Sequence, residues 1–272
     1  MGSKRRLAPW CHPCDEKCYY KEQKMVSKYD IEYKEGLFID LHLPDSEKFD
    51  LFVYFHGGGL VEGDRRRVEV FAKTLAKRGI ATASVEYRMY PNAKFPDFID
   101  DCAESIAWLR DNISAYGECG RIFAGGSSAG GYISMMLCFD KSYLAKVGMK
   151  PTDITAYIHD AGQPTAHFNV IQKELGVDGR RVVVNEMAPM YFVGMDEEYS
   201  NMLFIVSDND MEARYEQTML MVKTMEHFGH GNKTQLVVKE GDHCQYVYEA
   251  DENGEGRFGV IILEYLEKAG LI

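Results

Sequence analysis

The chain carries a glycine-rich segment, Gly125-Gly126-Ser127-Ser128-Ala129-Gly130-Gly131, between two apolar segments. Residues 121–124 before it have the composition of a buried strand, and residues 132–139 after it have the spacing of an amphipathic helix. The pattern G-x-S-x-G centred on Ser128 is typical of a sharp strand-to-helix turn, because glycines on both sides of the serine let the strand and the helix pass closely. The segment therefore predicts a strand, a strained turn and a helix, with Ser128 exposed at the apex as a nucleophile.

The turn supports chemistry only if other groups surround it. A helix that begins at the turn places the Ala129 N–H beside a negative charge that develops on a bound carbonyl oxygen. Ser127 fills a variable position of the pattern and is expected to point elsewhere. A glycine- and serine-rich turn without catalytic activity would have the same sequence. The rest of the chain therefore has to decide between a catalytic turn and a structural one.

Strand-like and helix-like segments alternate along the chain. Strands are predicted at residues 31–33, 37–43, 51–55, 80–85, 121–124, 155–158, 202–206 and 235–238. Helices are predicted at residues 68–78, 98–116, 132–139, 212–228 and 258–269. This alternation indicates the α/β class, with a mostly parallel central sheet and helices on both faces. In such sheets ligands bind at the carboxyl ends of the strands, where the Ser128 turn lies.

The length and the net charge of the chain limit the domain organisation and the classes of binding partner that we expect. With 272 residues, 46% of them hydrophobic, the chain can bury one large core, so we expect a catalytic domain at residues 29–272 after an N-terminal arm at residues 1–28 that forms a small lid. The 31 basic and 42 acidic residues give a net charge of −11, which disfavours nucleic acid and anionic membrane surfaces as partners. No apolar run reaches the roughly 18 residues of a membrane span. A small-molecule substrate fits these limits, and the oligomeric state is left open.

Seven cysteines are spread along the chain. An odd number without a regular framework is typical of reduced intracellular thiols, and no apolar leader follows the basic residues near the N-terminus, so a cytoplasmic location is expected. Cys11, Cys14 and Cys18 have a spacing similar to that of metal ligands. Because no second pair of ligands follows them, we expect a reduced arm without metal, and a zinc site there is the alternative.

A second glycine-rich segment, His56-Gly57-Gly58-Gly59, follows the strand predicted at residues 51–55. Since glycines carry no side chain, the Gly57 and Gly58 N–H groups can approach a ligand closely, and with the Ala129 N–H they are expected to form an oxyanion hole. His56 is expected to orient this loop rather than to act as the base, because another histidine is available later in the chain.

A serine hydroxyl needs a base, and the base needs an acid to orient it. Asp208 and Asp210 follow the strand at residues 202–206, and His243 follows the strand at residues 235–238. These strand-end positions occur in the chain order serine, acid, histidine that one large class of hydrolases requires. Ser128, Asp210 and His243 are therefore the predicted triad, with Asp208 as the competing acid. The other interpretations are a helix cap for Asp210 and an ordinary surface histidine for His243.

These residues and several others resemble the hormone-sensitive-lipase-like branch of the α/β-hydrolase superfamily, which includes small bacterial carboxylesterases and feruloyl or acetyl-xylan esterase-like proteins. The matching segments cover roughly residues 30–270 in the family's order. They are residues 54–59 (YFHGGG), Gly63-Asp64, residues 86–91 (EYRMYP), Phe95-Pro96, Asp101, Trp108-Leu109-Arg110, the Ser128 turn, Ala188-Pro189, Asp210 and His243. The resemblance implies an α/β-hydrolase fold and a serine carboxylesterase that needs no cofactor and acts on short-chain acyl esters.

Two features depart from that family. Its elbow commonly has Asp before the nucleophile, where this chain has Ser127, and its helical N-terminal cap is shortened here. The arm and residues 159–185 are therefore expected to shape the acyl pocket. The candidates for the pocket wall, each with core packing as the alternative, are Leu60, Tyr132, His159 and Asp160.

Other functions fit the same scaffold. The triad would also serve an amidase or peptidase, although prolyl peptidases of this fold usually carry a large additional domain for which the chain has no room. A non-catalytic small-ligand-binding protein is the alternative from another class, and the presence of all three triad residues disfavours it. The expected partner is a small ester, with an acylated sugar among the candidates.

Overall fold

The computed structural model describes residues 25–196 and 198–272, which form an eight-stranded sheet covered by helices. The spatial order of the strands is β1-β2-β4-β3-β5-β6-β7-β8. The pairs β1–β2 and β2–β4 are antiparallel and all other neighbours are parallel. The strands are β1 Val26–Lys34, β2 Leu37–Leu43, β3 Lys48–Phe55, β4 Ile80–Val85, β5 Glu118–Ser127, β6 Ala156–Asp160, β7 Asn201–Asn209 and β8 Thr234–Asp242.

Helices lie on both faces of the sheet, as the alternating pattern predicts. They are α1 Glu69–Ala76, α2 Asp97–Asn112, α3 Ala129–Phe139, α4 Lys141–Ala145, α5 Phe168–Glu174, α6 Arg214–His227 and α7 Arg257–Lys268. One cluster of buried side chains joins the sheet to α2, α3 and α6, and a second cluster joins it to α1 and α7. None of the helices in the described part of the chain is long and apolar enough to cross a membrane.

The α/β architecture and its mostly parallel sheet are confirmed, and three predictions of local structure need correction. Helix α3 is buried on all sides rather than amphipathic, because it packs between the sheet and neighbouring helices. Helix α2 ends at Asn112, and a separate 3-10 turn at Ile113–Ala115 replaces the last turn of the predicted helix. The short helices α4 and α5 were not predicted, since five to seven residues carry too little periodicity to be recognised.

The junction of β5 and α3 depends on two glycines that touch neighbouring main chain. A Cβ atom on Gly130 would lie 1.9 Å from the carbonyl oxygen of Phe55, and one on Gly131 would lie 2.5 Å from the carbonyl oxygen of Asp160. Helix α3 can therefore begin directly against the carboxyl ends of β3 and β6 only because these positions have no side chain. This contact is what brings the Ser128 turn to the end of the sheet.

Replacing Gly130 by alanine is expected to destabilise the protein by about 2 kcal/mol or more, because the added methyl group overlaps backbone that cannot move aside. Gly231→Ala is a suitable control, since the nearest atom to a Cβ there would be Cγ of the flexible Glu226 side chain at 3.3 Å, and the nearest backbone atom, Glu226 Cα, would lie at an ordinary contact distance of 3.7 Å. Its effect is expected to stay within about 1 kcal/mol. Urea unfolding of both variants measures the difference, and equal stabilities would contradict the role assigned to the contact.

Candidate active site

Ser128 occupies the strained position that the G-x-S-x-G pattern predicts. Its φ is 56° and its ψ is −111°, between the last residue of β5 and the first residue of α3. This left-handed φ is unfavourable for a residue other than glycine, so the surrounding structure has to hold it. One such restraint is the hydrogen bond from the Ser128 N–H to the carbonyl oxygen of Asp160, at 2.8 Å.

His243 reaches Ser128 from the end of β8, and Asp210 reaches His243 from the end of β7. His243 Nε2 lies 2.8 Å from Ser128 Oγ, and His243 Nδ1 lies 2.5 Å from Asp210 Oδ1. Because a carboxylate only accepts hydrogen bonds, the imidazole donates from Nδ1 to Asp210 and accepts the serine hydroxyl at Nε2. This is the arrangement that a histidine base needs to remove a proton from Ser128.

The Asp210 carboxylate is held in place by the main chain around it. Oδ2 accepts the Ser207 N–H at 3.1 Å, and Oδ1 accepts the Met211 N–H at 2.7 Å. Burial raises the pKa of Asp210, but the hydrogen bonds from His243 and from these N–H groups outweigh it, so the pKa lies below its ordinary value. Asp210 is therefore charged at neutral pH and can orient the imidazole.

Asp208, the competing acid, lies in a different environment. It is exposed near the end of β7, and its Oδ1 accepts the Gly241 N–H at 3.0 Å. That hydrogen bond joins the ends of β7 and β8 and leaves the Asp208 carboxylate away from the imidazole. The structure thus brings Asp210, and not Asp208, to His243.

The His56-Gly57-Gly58-Gly59 loop contacts Ser128 from the end of β3. A Cβ atom on Gly57 would lie 3.0 Å from the carbonyl oxygen of Ser127 and 3.3 Å from Ser128 Cβ, so only glycine fits there without displacing the elbow. Within the described residues, the N–H groups of Gly57, Gly58 and Ala129 donate no hydrogen bond.

The His56 side chain hydrogen bonds its own loop, and His243 is the histidine that hydrogen bonds Ser128. Its Nδ1–H donates to the carbonyl oxygen of Gly57 at 2.8 Å, and its ring stacks on Tyr87 with 4.4 Å between the ring centroids. Burial lowers the pKa of His56, so the ring stays neutral. This geometry agrees with the expectation that His56 orients the loop.

The four candidates for the pocket wall are all buried, each with 1% exposure or less. Leu60 belongs to the loop after β3, and Tyr132 lies on the first turn of α3, where its hydroxyl donates to the carbonyl oxygen of Met187 at 2.7 Å. His159 does not line an open pocket, because its side chain is enclosed by Phe139, Tyr157 and Phe204 and hydrogen bonds Ser134 at 2.9 Å. Asp160 is also fully buried, under the elbow.

Asp160 connects the two halves of the site. Its main chain holds the Ser128 N–H, and its Oδ1 accepts the hydroxyl of Tyr246, which lies three residues after His243. Asp160 Oδ2 and the adjacent Ser127 Oγ are buried and have no hydrogen-bond partner among the described residues. Burial raises the pKa of Asp160 to about 6, although the hydrogen bond from the Tyr246 hydroxyl lowers it. A carboxylate in such a position destabilises the folded state at neutral pH.

Replacing Asp160 by asparagine is expected to raise the stability at neutral pH. Between the ordinary pKa of 3.8 and the folded value of about 6, the native protein binds the proton more tightly than the unfolded chain, so wild-type stability falls as the pH rises. This pKa difference corresponds to about 3 kcal/mol. Asparagine keeps an acceptor for Tyr246 and does not titrate.

The measurement is urea unfolding at pH 4 and pH 7.5. Asp160→Asn should gain stability relative to the wild type as the pH rises. The difference between their free energies of unfolding should grow by up to about 3 kcal/mol from pH 4 to pH 7.5. Asp45→Asn, at an exposed position, serves as the control and should show no such change. A difference for Asp160→Asn that is independent of pH would contradict the raised pKa.

Residues 163–193 add contacts that the sequence analysis did not identify. Asn169 Nδ2 donates to the carbonyl oxygen of Gly59 at 2.6 Å, and Glu174 Oε1 accepts the Tyr90 hydroxyl at 2.6 Å. The first contact joins α5 to the loop after β3, and the second joins α5 to the segment before α2. Asn169 and Glu174 both fall within residues 159–185, the region expected to shape the pocket, but no spacing in the sequence indicates which side chain of that region reaches the loop.

No group of three or more His, Cys, Asp or Glu side chains within residues 25–196 and 198–272 is arranged to hold a metal ion. Cys11, Cys14 and Cys18 lie outside the described residues.

The sheet order, the elbow and the residues around it define an α/β-hydrolase fold. The chain belongs to the BD-FAE family, whose model matches residues 39–177. Residues 57–59 and the Ser128 turn both fall inside this match.

Comparison with known proteins gives the same fold. Esterase B of Lactobacillus rhamnosis superposes with a TM-score of 0.75 at 16% identity, covering 90% of this chain and 86% of that one. Esterase Est2 of Thermogutta terrifontis superposes with a TM-score of 0.69 at 18% identity, covering 93% and 95%. A probable isoprenylcysteine alpha-carbonyl methylesterase of Arabidopsis thaliana is 31% identical over 107 residues, 38% of this chain and 25% of that protein. The chain spans only 20% to 35% of the length of the curated relatives that it matches.

Proposed function

We propose that the protein is a serine carboxylesterase that cleaves short-chain acyl esters. The observation that carries the proposal is the hydrogen-bonded series Ser128, His243, Asp210 at the carboxyl ends of three parallel strands. The three side chains come from distant parts of the chain and meet with the distances that base-assisted attack by a serine requires.

In the proposed reaction, His243 accepts the Ser128 proton at Nε2 while Ser128 Oγ attacks the ester carbonyl. The N–H groups of Gly57, Gly58 and Ala129 stabilise the oxyanion of the tetrahedral intermediate. His243 then gives the proton to the leaving alcohol, and an acyl-enzyme remains. A water molecule attacks the acyl-enzyme with His243 again as base, while Asp210 keeps the imidazole oriented and stabilises its charged form.

The substrate class is proposed from related folds. Est2 of Thermogutta terrifontis has been solved with propionate and with butyrate bound. A small ester with a short acyl group is therefore the proposed substrate, and acylated sugars are natural candidates for the alcohol side.

Ser128→Ala is expected to abolish hydrolysis of nitrophenyl acetate and butyrate, because the other hydroxyl of the elbow, that of Ser127, is buried. The rate should fall by about four orders of magnitude or more, and the circular dichroism spectrum should stay that of the wild type. Wild-type rates with acetate, butyrate and octanoate esters should decline with chain length. A burst of nitrophenol from Ser128→Ala would contradict the assignment of the nucleophile.

Asp210→Asn and Asp208→Asn form a matched pair that tests the assignment of the acid. Asparagine at position 210 cannot stabilise the imidazolium, so kcat should fall by about four orders of magnitude. Asparagine at position 208 keeps an oxygen acceptor for the Gly241 N–H, and kcat should fall by less than about tenfold. Steady-state kinetics with nitrophenyl butyrate measures both, and the reverse ranking would transfer the acid role to Asp208.

A further inference from the structure

The two N–H groups that the loop after β3 offers to the oxyanion belong to peptide units with fixed orientation. In a trans peptide unit the C=O and the N–H point in opposite directions. The carbonyl of His56 is in the same unit as the Gly57 N–H, and the carbonyl of Gly57 is in the same unit as the Gly58 N–H. A hydrogen bond to either carbonyl therefore sets the direction of the N–H on the other side.

Both of these carbonyl oxygens accept a hydrogen bond from a buried aromatic side chain. The Tyr87 hydroxyl donates to the carbonyl oxygen of His56 at 2.6 Å, and the His56 Nδ1–H donates to the carbonyl oxygen of Gly57 at 2.8 Å. Tyr87 is 1% exposed and His56 is 2% exposed, so water does not compete for the two acceptors. The two rings stack on each other, so the two donors lie side by side against the loop.

The Ala129 N–H, the third proposed donor, is also fixed by a hydrogen bond to the carbonyl of its own peptide unit. The carbonyl oxygen of Ser128, which shares a peptide unit with the Ala129 N–H, accepts the Tyr132 N–H at 3.0 Å as the first hydrogen bond of α3. All three peptide units are thus held from their carbonyl side, one by a helix and two by side chains.

We propose that Tyr87 is a positioning residue of the oxyanion hole: through its hydrogen bond to the His56 carbonyl it directs the Gly57 N–H at the substrate oxygen. His56 acts in the same way on the Gly58 N–H. The inference rests on the proposed function, because it concerns the oxyanion formed in that reaction. Its effect is on the intermediate and not on the bound ester, since the N–H groups are needed most when the oxygen becomes negative.

Asn169 supplies an internal contrast in the same loop. It donates to the carbonyl oxygen of Gly59, whose peptide unit carries the N–H of Leu60, which is not one of the three proposed donors. If general tethering of the loop is what matters, loss of the Asn169 amide should be as harmful as loss of the Tyr87 hydroxyl. If the orientation of individual peptide units matters, Tyr87 should be the more important of the two.

The experiment compares Tyr87→Phe, Asn169→Ala and the control Tyr157→Phe. Each Tyr→Phe change removes one hydroxyl from a fully enclosed ring, and Tyr157 donates to Pro151 at 3.1 Å at the opposite ends of the strands. Tyr87→Phe should lower kcat for nitrophenyl butyrate about 10- to 100-fold with KM nearly unchanged. It should raise the Ki of a trifluoromethyl ketone, which forms an oxyanion on Ser128, by the same factor. Tyr157→Phe should change neither quantity, and Asn169→Ala should have a smaller effect than Tyr87→Phe.

Each other outcome overturns the inference. It is wrong if Tyr87→Phe and Tyr157→Phe have equal kcat, if kcat falls without a change in the ketone Ki, or if Asn169→Ala is as harmful as Tyr87→Phe. Should Tyr87→Phe not fold, His56→Phe removes the other hydrogen bond while keeping an aromatic ring, and it should give the same kinetic signature. A wild type that neither hydrolyses the ester nor binds the ketone overturns the proposed function as well, whereas an active wild type with an unaffected Tyr87→Phe overturns the inference alone.

Discussion

The contact between the start of α3 and the carboxyl ends of β3 and β6 is the constraint on which the candidate site depends. Gly130 and Gly131 lie against the carbonyl groups of Phe55 and Asp160, at distances that leave no room for a Cβ atom. Because the helix begins so close to the sheet, Ser128 has to adopt a left-handed backbone conformation. Ser128 and the N-terminus of α3 therefore reach the same point, next to the loop after β3.

Two buried aspartates near this contact, Asp210 and Asp160, lie in different environments. Asp210 is buried but satisfied by His243 and by main-chain N–H groups, so its charge is retained. Asp160 is buried with one oxygen atom unsatisfied, so its charge is disfavoured. A chain selected for stability alone would avoid the second arrangement. Asp160 is also the residue that touches both the Ser128 elbow and the segment after His243, which places the destabilising group where the two halves of the site meet.

Much of the fold could be predicted because it follows from local patterns. The hairpin around Gly36, the buried strand Ile80–Val85 and the helix before Gly79 have the periodicity and the turn residues that distinguish strands from helices. The same patterns failed for α3, because apolar residues on all sides of a helix depend on what surrounds it. They also failed for α5, whose few residues are ordered by tertiary contacts such as Asn169 with the Gly59 carbonyl.

The sequence by itself determined the class of the fold, the strained serine and the order of the strand-end residues, since these follow from glycine spacing and from the alternation of strands and helices. Only the tertiary structure decided which of two aspartates faces His243, because Asp208 and Asp210 differ by two positions in a loop whose path depends on the neighbouring β8. It also decided that Asp160 is enclosed and that Tyr87 hydrogen bonds the His56 carbonyl in the loop after β3. Burial and hydrogen bonding between residues distant in sequence arise only when the sheet assembles, and no local pattern encodes them.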